Sequence, residues 1–133
     1  MTYLLDTDMC VVWLRGIPGI RQQILAKGAE EVGISVVTHA ELLYGAMRSS
    51  RVTQNLVRVK SFVRLRRVIE LSEPVLMRFA AEKARLRGEG HLVPDFDILI
   101  AAMGLAHGLV LVTGNVKHYE RFAGLRIENW LDG

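Results

Sequence analysis

Three short runs, YLL at 3–5, VGISV at 32–36 and LVLV at 109–112, are almost wholly apolar rather than alternating between apolar and polar residues. A strand that is apolar on both faces must be covered on both, as happens in a parallel sheet layered between helices. Helical stretches separate these runs. DMCVVWLR follows the first, and PGIRQQILAKG carries a proline near its start and a glycine at its end, the order expected of a helix. THAELLYGAMR from Thr38 and VTQNLVRVKSFVRLR follow VGISV, the latter with Val52, Leu56, Val59 and Val63 at helical spacing. RVIEL reads as a strand. SEPVLMRFAAEKARLRG reads as a helix capped by Ser72, with Pro74 in its first turn and Gly88 just past its end. DFDILIAAMGLAHG is an apolar helix, VKHYERF a short one and LRIENW a last strand. Strands alternating with helices predict an α/β fold of three layers, a central parallel sheet flanked by helices. Without repeat, low-complexity tract or linker, residues 1–133 read as one domain, long enough to bury a core of its own.

In open sheets of this kind ligands bind beyond the carboxyl ends of the strands. Asp6 stands at such an end, Thr38 follows VGISV, and Thr113 to Asn115 follow LVLV. Several strand ends therefore deliver polar residues to one edge, which is the expected site.

Other classes are excluded by composition. No apolar run approaches the roughly 20 residues of a bilayer span, so no membrane partner is expected. Asp6 cuts the opening YLL short, which argues against a signal peptide. The one cysteine, Cys10, allows no intrachain disulfide, and a cytoplasmic location is the natural reading; the residue itself is expected in the core of the first helix. The net charge of +3 conceals an asymmetry. Residues 48–87 hold 11 Lys or Arg against 3 acids, a net of +8, whereas the rest of the chain holds 6 against 11, a net of −5. A basic segment beside an acidic cluster is what a metal-dependent nuclease needs.

Each candidate acid also has a local explanation. Asp6 or Asp8 serves as a cap for the first helix, and Asp8 is the stronger cap candidate. Thr38-His39-Ala40-Glu41 has the form of a capping box. Asp95 and Asp97 open a helix, where acids complement the dipole, and Asp95 is the likelier cap of the two on position alone. Taken together, Asp6, Glu41 and Asp97 at one sheet edge demand more. Two ionised carboxylates about 4 Å apart repel by about 4 kcal/mol at an effective dielectric near 20. A hard divalent cation, Mg²⁺ or Mn²⁺, relieves that repulsion, prefers oxygen ligands and supports in-line phosphodiester displacement.

LLDTD at the start, THAELLYG in the middle, DILIAA later and LVTGNVKHYERFAGLRIENW to the end together resemble the PIN-domain ribonucleases of the VapC toxin family, in the right order over nearly the whole chain. The resemblance implies Mg²⁺-dependent endonucleolytic cleavage of RNA, transfer RNA by preference, with arrest of translation. It also implies homodimers and a VapB-type antitoxin held in a toxin–antitoxin hetero-oligomer. Carried over by position, the catalytic and metal-binding acids fall on Asp6, Glu41 and Asp97, with Thr7, Thr38 and Thr113 as supporting hydroxyls. Where some PIN domains place a fourth acid this chain has Asn115, which supplies a neutral oxygen and orients a water or phosphate oxygen; Asp95 is a substitute source of a fourth carboxylate. The helices between the second and third acids are expected to line an RNA groove, with Arg48, Arg51, Arg58, Lys60, Arg64, Arg66 and Arg67 on phosphates. Tyr44, Phe62, Tyr119 and Trp13 are the rings available for stacking, most of them better suited to core or dimer contacts.

Rival chemistries fit less well. The DTD opening also begins haloacid-dehalogenase-like phosphatases, but no adjacent acidic pair follows Thr113. His39-Ala40-Glu41 matches the H-x-E of zinc deaminases without the C-x-x-C they need. The four histidines lack zinc spacing and read as structural or exposed. The alternative of another class is a catalytically impaired PIN-like protein that binds RNA or a partner, with Asn115 as its support.

Overall fold

The computed structural model describes residues 1–131. In chain order these form β1 (Tyr3–Leu5), α1 (Thr7–Leu14), α2 (Pro18–Lys27), a 3₁₀ turn at Ala29–Glu31, β2 (Val32–Ser35), α3 (Val36–Arg48) and α4 (Val52–Arg64). Then follow β3 (Arg67–Ile69), α5 (Glu73–Gly88), α6 (Asp95–His107), β4 (Val110–Val112), α7 (Val116–Tyr119) and β5 (Arg126–Glu128). The strands lie in the order β3-β2-β1-β4-β5, all parallel. The expected three-layer α/β architecture is the one observed. Among the described residues no helix is long and apolar enough to cross a membrane.

Side chains alternate across the sheet, and so the apolar strands feed two separate cores. Leu4 and its neighbour in register Leu111 face α5 and α6, packing with Val75, Leu86, Ile98 and Met103. One residue on, Leu5 and Val112 face the opposite layer, with Met9 and Cys10 of α1, Ile20 and Ile24 of α2, Leu42 of α3 and Phe62 of α4. Each fully buried aliphatic of this kind contributes about 2 kcal/mol relative to exposure. Gly33 lets β2 approach β3 closely, because a Cβ there would lie 2.8 Å from the Arg67 carbonyl oxygen. Gly108 ends α6 in the left-handed region, φ +64°, and turns the chain directly into β4.

Two helix starts differ from the sequence reading, and a third helix has a different cap. α3 begins at Val36 rather than Thr38, and its cap is Ser35, whose Oγ accepts from the Val37 N–H at 2.9 Å. The β2–β3 ladder ends at the Ser35–Ile69 pair, so Ser35 is the first residue to leave the sheet and the first able to cap. Thr38 and Glu41 consequently lie inside the helix and form no capping box. At α1 the cap is Asp6, not Asp8. At α6 the cap position is Pro94, and Asp95 lies within the first turn. In α5, Ser72 holds the cap position without a side-chain hydrogen bond, and the helix includes Gly88. The helix expected over VKHYERF is shorter, four residues, and Phe122 beyond it drops into the core.

Candidate functional site

The order of the sheet reverses at its centre: from β1 the chain grows outward through β2 and β3, then returns to place β4 and β5 on the other side. The segments leaving β1 and β4 diverge to opposite layers, α1 to one core and α7 to the other. A cleft of about 240 Å³ opens at that point, beyond the carboxyl ends of the two strands. Its wall includes four carboxylates, those of Asp6 and Asp8 at the start of α1, Glu41 of α3 and Asp97 of α6, drawn from three places in the chain.

Asp6 is the innermost, only 4% exposed. Its Oδ1 accepts from the Met9 N–H at 2.9 Å, which caps α1, and its Oδ2 accepts from the Thr113 hydroxyl at 2.5 Å. Thr113, fully buried, also accepts from the Asn115 N–H at 2.9 Å. Burial pushes the Asp6 carboxyl up to about 6, outweighing the hydrogen bonds from Thr113 and Met9 that favour its ionised form, with smaller upward contributions from Asp8 and Asp97.

Glu41 approaches from α3. The Thr7 hydroxyl lies 2.6 Å from Glu41 Oε1 and 3.1 Å from the Thr38 hydroxyl. Thr7 has one hydrogen to give and gives it to the carboxylate, so the Thr38 contact is completed by Thr38 donating in turn. The motif read as a capping box is instead a relay from buried Thr38 through Thr7 to Glu41. It joins α1 to α3, an arrangement that follows from Thr38 and Glu41 sharing a helix face three residues apart.

Asp97 comes from the first turn of α6 and is held by two consecutive residues of α7. The Tyr119 hydroxyl donates to Oδ1 at 3.3 Å, and His118 Nε2 lies 3.3 Å from Oδ2. Burial raises the Asp97 carboxyl above its ordinary range, while His118 and Tyr119 pull it down and Asp8 pushes it up. Tyr119 is itself raised, by burial first and by Asp97 and Asp6 after it.

Thus Asp6, Glu41, Asp97, Asn115 and Thr7 line one cleft, with Thr38 and Thr113 bonded to members of it. Asp95 does not join them. It points to the α5 side, where Lys83 Nζ lies 2.9 Å away, and it cannot supply a fourth carboxylate. Asn115 turns its amide toward His118, Nδ2 to Nδ1 at 3.0 Å. Two residues of the cleft went unassigned in the sequence. Asp8 was a cap on paper, and His118 was a scattered histidine. The signal for His118 was its spacing, three residues after Asn115 in a short helix, which puts both on one face.

The donor set is carboxylate, hydroxyl and amide oxygen with no sulfur, since Cys10 is buried in the core. Two of its carboxylates, Asp6 and Asp97, are raised by burial and by neighbouring carboxylates, Asp8 acting on both, the condition that a bound cation relieves. A hard divalent ion fits this set. Among the described residues no three acids, histidines or cysteines converge into a ready-made chelating group. The ring therefore suits an ion that keeps several of its own waters rather than an all-protein cage.

Beyond Glu41 a second groove of about 400 Å³ runs between α1, α3 and α4, with Val11, Leu14 and Val59 in its floor and Arg15 and Arg58 on its rim. Arg58 donates to the Leu14 carbonyl. Arg48, Arg51, Lys60 and Arg64 are exposed on α3, the α3–α4 turn and α4, and Arg67 is exposed on β3. Arg66 instead lies half-buried with its guanidinium 5.0 Å from the Phe62 ring centroid. The basic stretch 48–87 is not one surface: α4 and α5 cover opposite faces of the sheet, and on α5 Lys83 pairs with Asp95 and Arg85 with Glu82 and Glu89. Of the four candidate rings, Phe62 and Tyr119 are buried, Trp13 packs on Phe62 at 4.8 Å, and Tyr44 is exposed.

Residues 3–125 match the family model of the PIN domain. The sequence is 31% identical over 130 residues to the tRNA(fMet)-specific endonuclease VapC of Shigella flexneri, covering 98% of each chain. It is likewise 31% identical over 134 residues to ribonuclease VapC2 of Haemophilus influenzae, covering 98% of this chain and 99% of that one. Among solved structures, the DNA-bound VapBC of Salmonella typhimurium superposes with a TM-score of 0.93 at 30% identity, over 98% of both chains.

Proposed function

This chain belongs to the VapC ribonucleases of the PIN-domain family, and on that premise we propose what its acidic cleft acts on and how. It is an endoribonuclease and the toxin of a toxin–antitoxin pair, with RNA as substrate and a VapB-type antitoxin as partner. The substrate is transfer RNA, the class named for its Shigella relative, and cleavage arrests translation in the cytoplasm. The working form is a homodimer that the antitoxin gathers into a hetero-oligomer. The enzyme is metal-dependent, as PIN-domain ribonucleases generally are, and the ion is Mg²⁺ with Mn²⁺ able to substitute. The observation that carries this reading is the arrival of Asp6, Glu41 and Asp97, from β1, α3 and α6, on one cleft at the switch point of the sheet.

Asp6 and Asp97 would hold the ion, with Glu41 binding it or orienting a water beside it. When bound, the ion supplies charge neutralisation and Lewis-acid activation at the scissile phosphodiester. The remaining chemistry is positional. Met9 and Thr113 fix both Asp6 oxygens in place. Thr7 engages Glu41 Oε1, so Oε2 accepts from the attacking water and steers it in line with the phosphorus. Asn115 bears on the rim of the cleft and acts through its neighbour rather than as a fourth ligand. Arg58 and Arg15 meet the phosphates of the strand that leads away along the adjoining groove.

The test is cleavage of mixed transfer and ribosomal RNA by antitoxin-free protein, with Mg²⁺ and with chelator, beside Asp97→Asn. Discrete fragments that vanish with chelator and in the variant support the reading. RNA that is bound but intact in every lane favours the catalytically impaired binding protein instead.

A further inference from the structure

Among the described residues that line the cleft His118 is the one basic side chain, set against four carboxylates. Resting on the reading of that cleft as the nuclease site, we propose that His118 is a positioning residue: with Tyr119 it locks the Asp97 carboxylate in the orientation that receives the cation.

The case begins with what Asp97 would do alone. Its side chain is 28% exposed at the mouth of the cleft, so core packing does not choose its rotamer. One hydrogen bond and one ion-pair contact do. The Tyr119 hydroxyl donates to Oδ1 and His118 Nε2 stands against Oδ2, each at 3.3 Å, so consecutive residues of α7 meet the two oxygens from one side. Both contacts are long, and each alone holds the carboxylate loosely; two acting on different oxygens restrict its plane.

The imidazole is aimed by two neighbours. Its face tilts against the Tyr119 ring, centroids 5.6 Å apart and planes at 31°. Its Nδ1 faces the Asn115 amide nitrogen at 3.0 Å. An amide nitrogen only donates, so Nδ1 accepts, and in the tautomer this pairing selects the hydrogen sits on Nε2, the ring nitrogen nearer Asp97. Asn115 thereby gains a role other than that of a missing acid: it sets the tautomer of the residue that orients Asp97. Carboxylate ligands are commonly held by hydrogen bonds of this outer kind, and their loss costs about 10- to 100-fold in metal affinity or activity. A purely structural role fits poorly. His118 is 29% exposed on a four-residue helix whose core contact is made by Tyr119, with Phe122 packing just beyond it.

The test measures Mn²⁺ binding by electron paramagnetic resonance on the antitoxin-free protein, beside cleavage of RNA and thermal melting. His118→Ala is expected to weaken Mn²⁺ about 10-fold or more, with an unchanged melting temperature in the metal-free state and cleavage partly recovered at saturating Mn²⁺. His118→Gln, which keeps an amide donor at similar reach, restores most of the affinity, and Asn115→Ala falls between parent and His118→Ala. Unchanged Mn²⁺ affinity in His118→Ala overturns the proposal, whether cleavage is kept or lost, since cleavage lost alone marks a contact with RNA. Asp97→Asn in the same series separates the two levels of inference. If it still binds Mn²⁺ and cleaves as the parent does, the nuclease reading of the cleft fails, whereas its loss beside an intact His118→Ala defeats only the positioning role.

Discussion

The Thr113 hydroxyl, one residue past β4, donates to Asp6 Oδ2 at 2.5 Å, one residue past β1, joining two positions 107 apart in the chain. The parallel register that sets Leu5 beside Val112 makes this meeting unavoidable. Because the bond favours the ionised carboxylate, its loss should leave Asp6 harder to deprotonate. Thr113→Val, nearly isosteric, is expected to lower stability by about 1–3 kcal/mol in denaturant melts and cleavage by about 10- to 100-fold. Thr113→Ser should retain both, and equal damage from Ser and Val would mean that packing, not the hydroxyl, matters.

Asp6 predicts a pH dependence. Its folded value of about 6 lies above the ordinary 3.8, so between those values the folded state holds a proton that the unfolded chain has released. Stability from this group is therefore present below about pH 4 and is lost as pH rises through 6, amounting to about 3 kcal/mol. Metal-free Asp6→Asn, which keeps a capping oxygen, should be more stable than the parent at pH 7, and the difference should close as the pH is lowered toward 4. Mg²⁺ should raise the parent's melting temperature more at pH 7 than at pH 5. A variant no more stable than the parent at pH 7 would contradict the burial argument.

The start of α3 can be checked by two substitutions. Ser35→Ala removes the cap and should cost about 1 kcal/mol, a drop of several degrees in melting temperature. Thr38→Val leaves the helix start intact, keeps the buried volume and should affect cleavage through the Thr7–Glu41 relay more than stability. A larger stability loss from Thr38→Val than from Ser35→Ala would restore the capping box.

Basic residues on opposite layers should behave differently toward RNA. Arg58→Gln, on the groove beside Glu41, is expected to weaken binding across sequences and to reduce the log–log salt slope by about 0.7 to 1. Arg87→Gln, on α5 across the sheet, should leave both unchanged. Equal slopes for the two variants would show that RNA does not follow the groove.

Much of the fold was legible because it rests on local pattern. Runs apolar on both faces demanded a parallel sheet with two covers, and Val52, Leu56, Val59 and Val63 at helical spacing marked the apolar face of α4, on which Val59 is buried. Asp6, Glu41 and Asp97 were legible as a set because strand ends in such sheets share an edge. The caps were not. Whether Ser35 or Thr38 starts α3 depends on where β2 stops pairing with β3, which no property of residues 35–41 states. Asp95 and Asp97 stand two apart with the same chemistry, yet the helix turns one to Lys83 and the other to the cleft.

The sequence by itself determined the layers, the sheet edge at which the cleft opens and the acids delivered to it, since hydrophobic periodicity and chain order act over a few residues at a time. Only the tertiary structure decided what those acids touch. That α7 folds back to meet both oxygens of Asp97 and that Thr7 gives its hydrogen to Glu41 depend on separations of a few ångströms between remote segments. Hydrogen bonds are decided at that range, and strand register with core packing sets it.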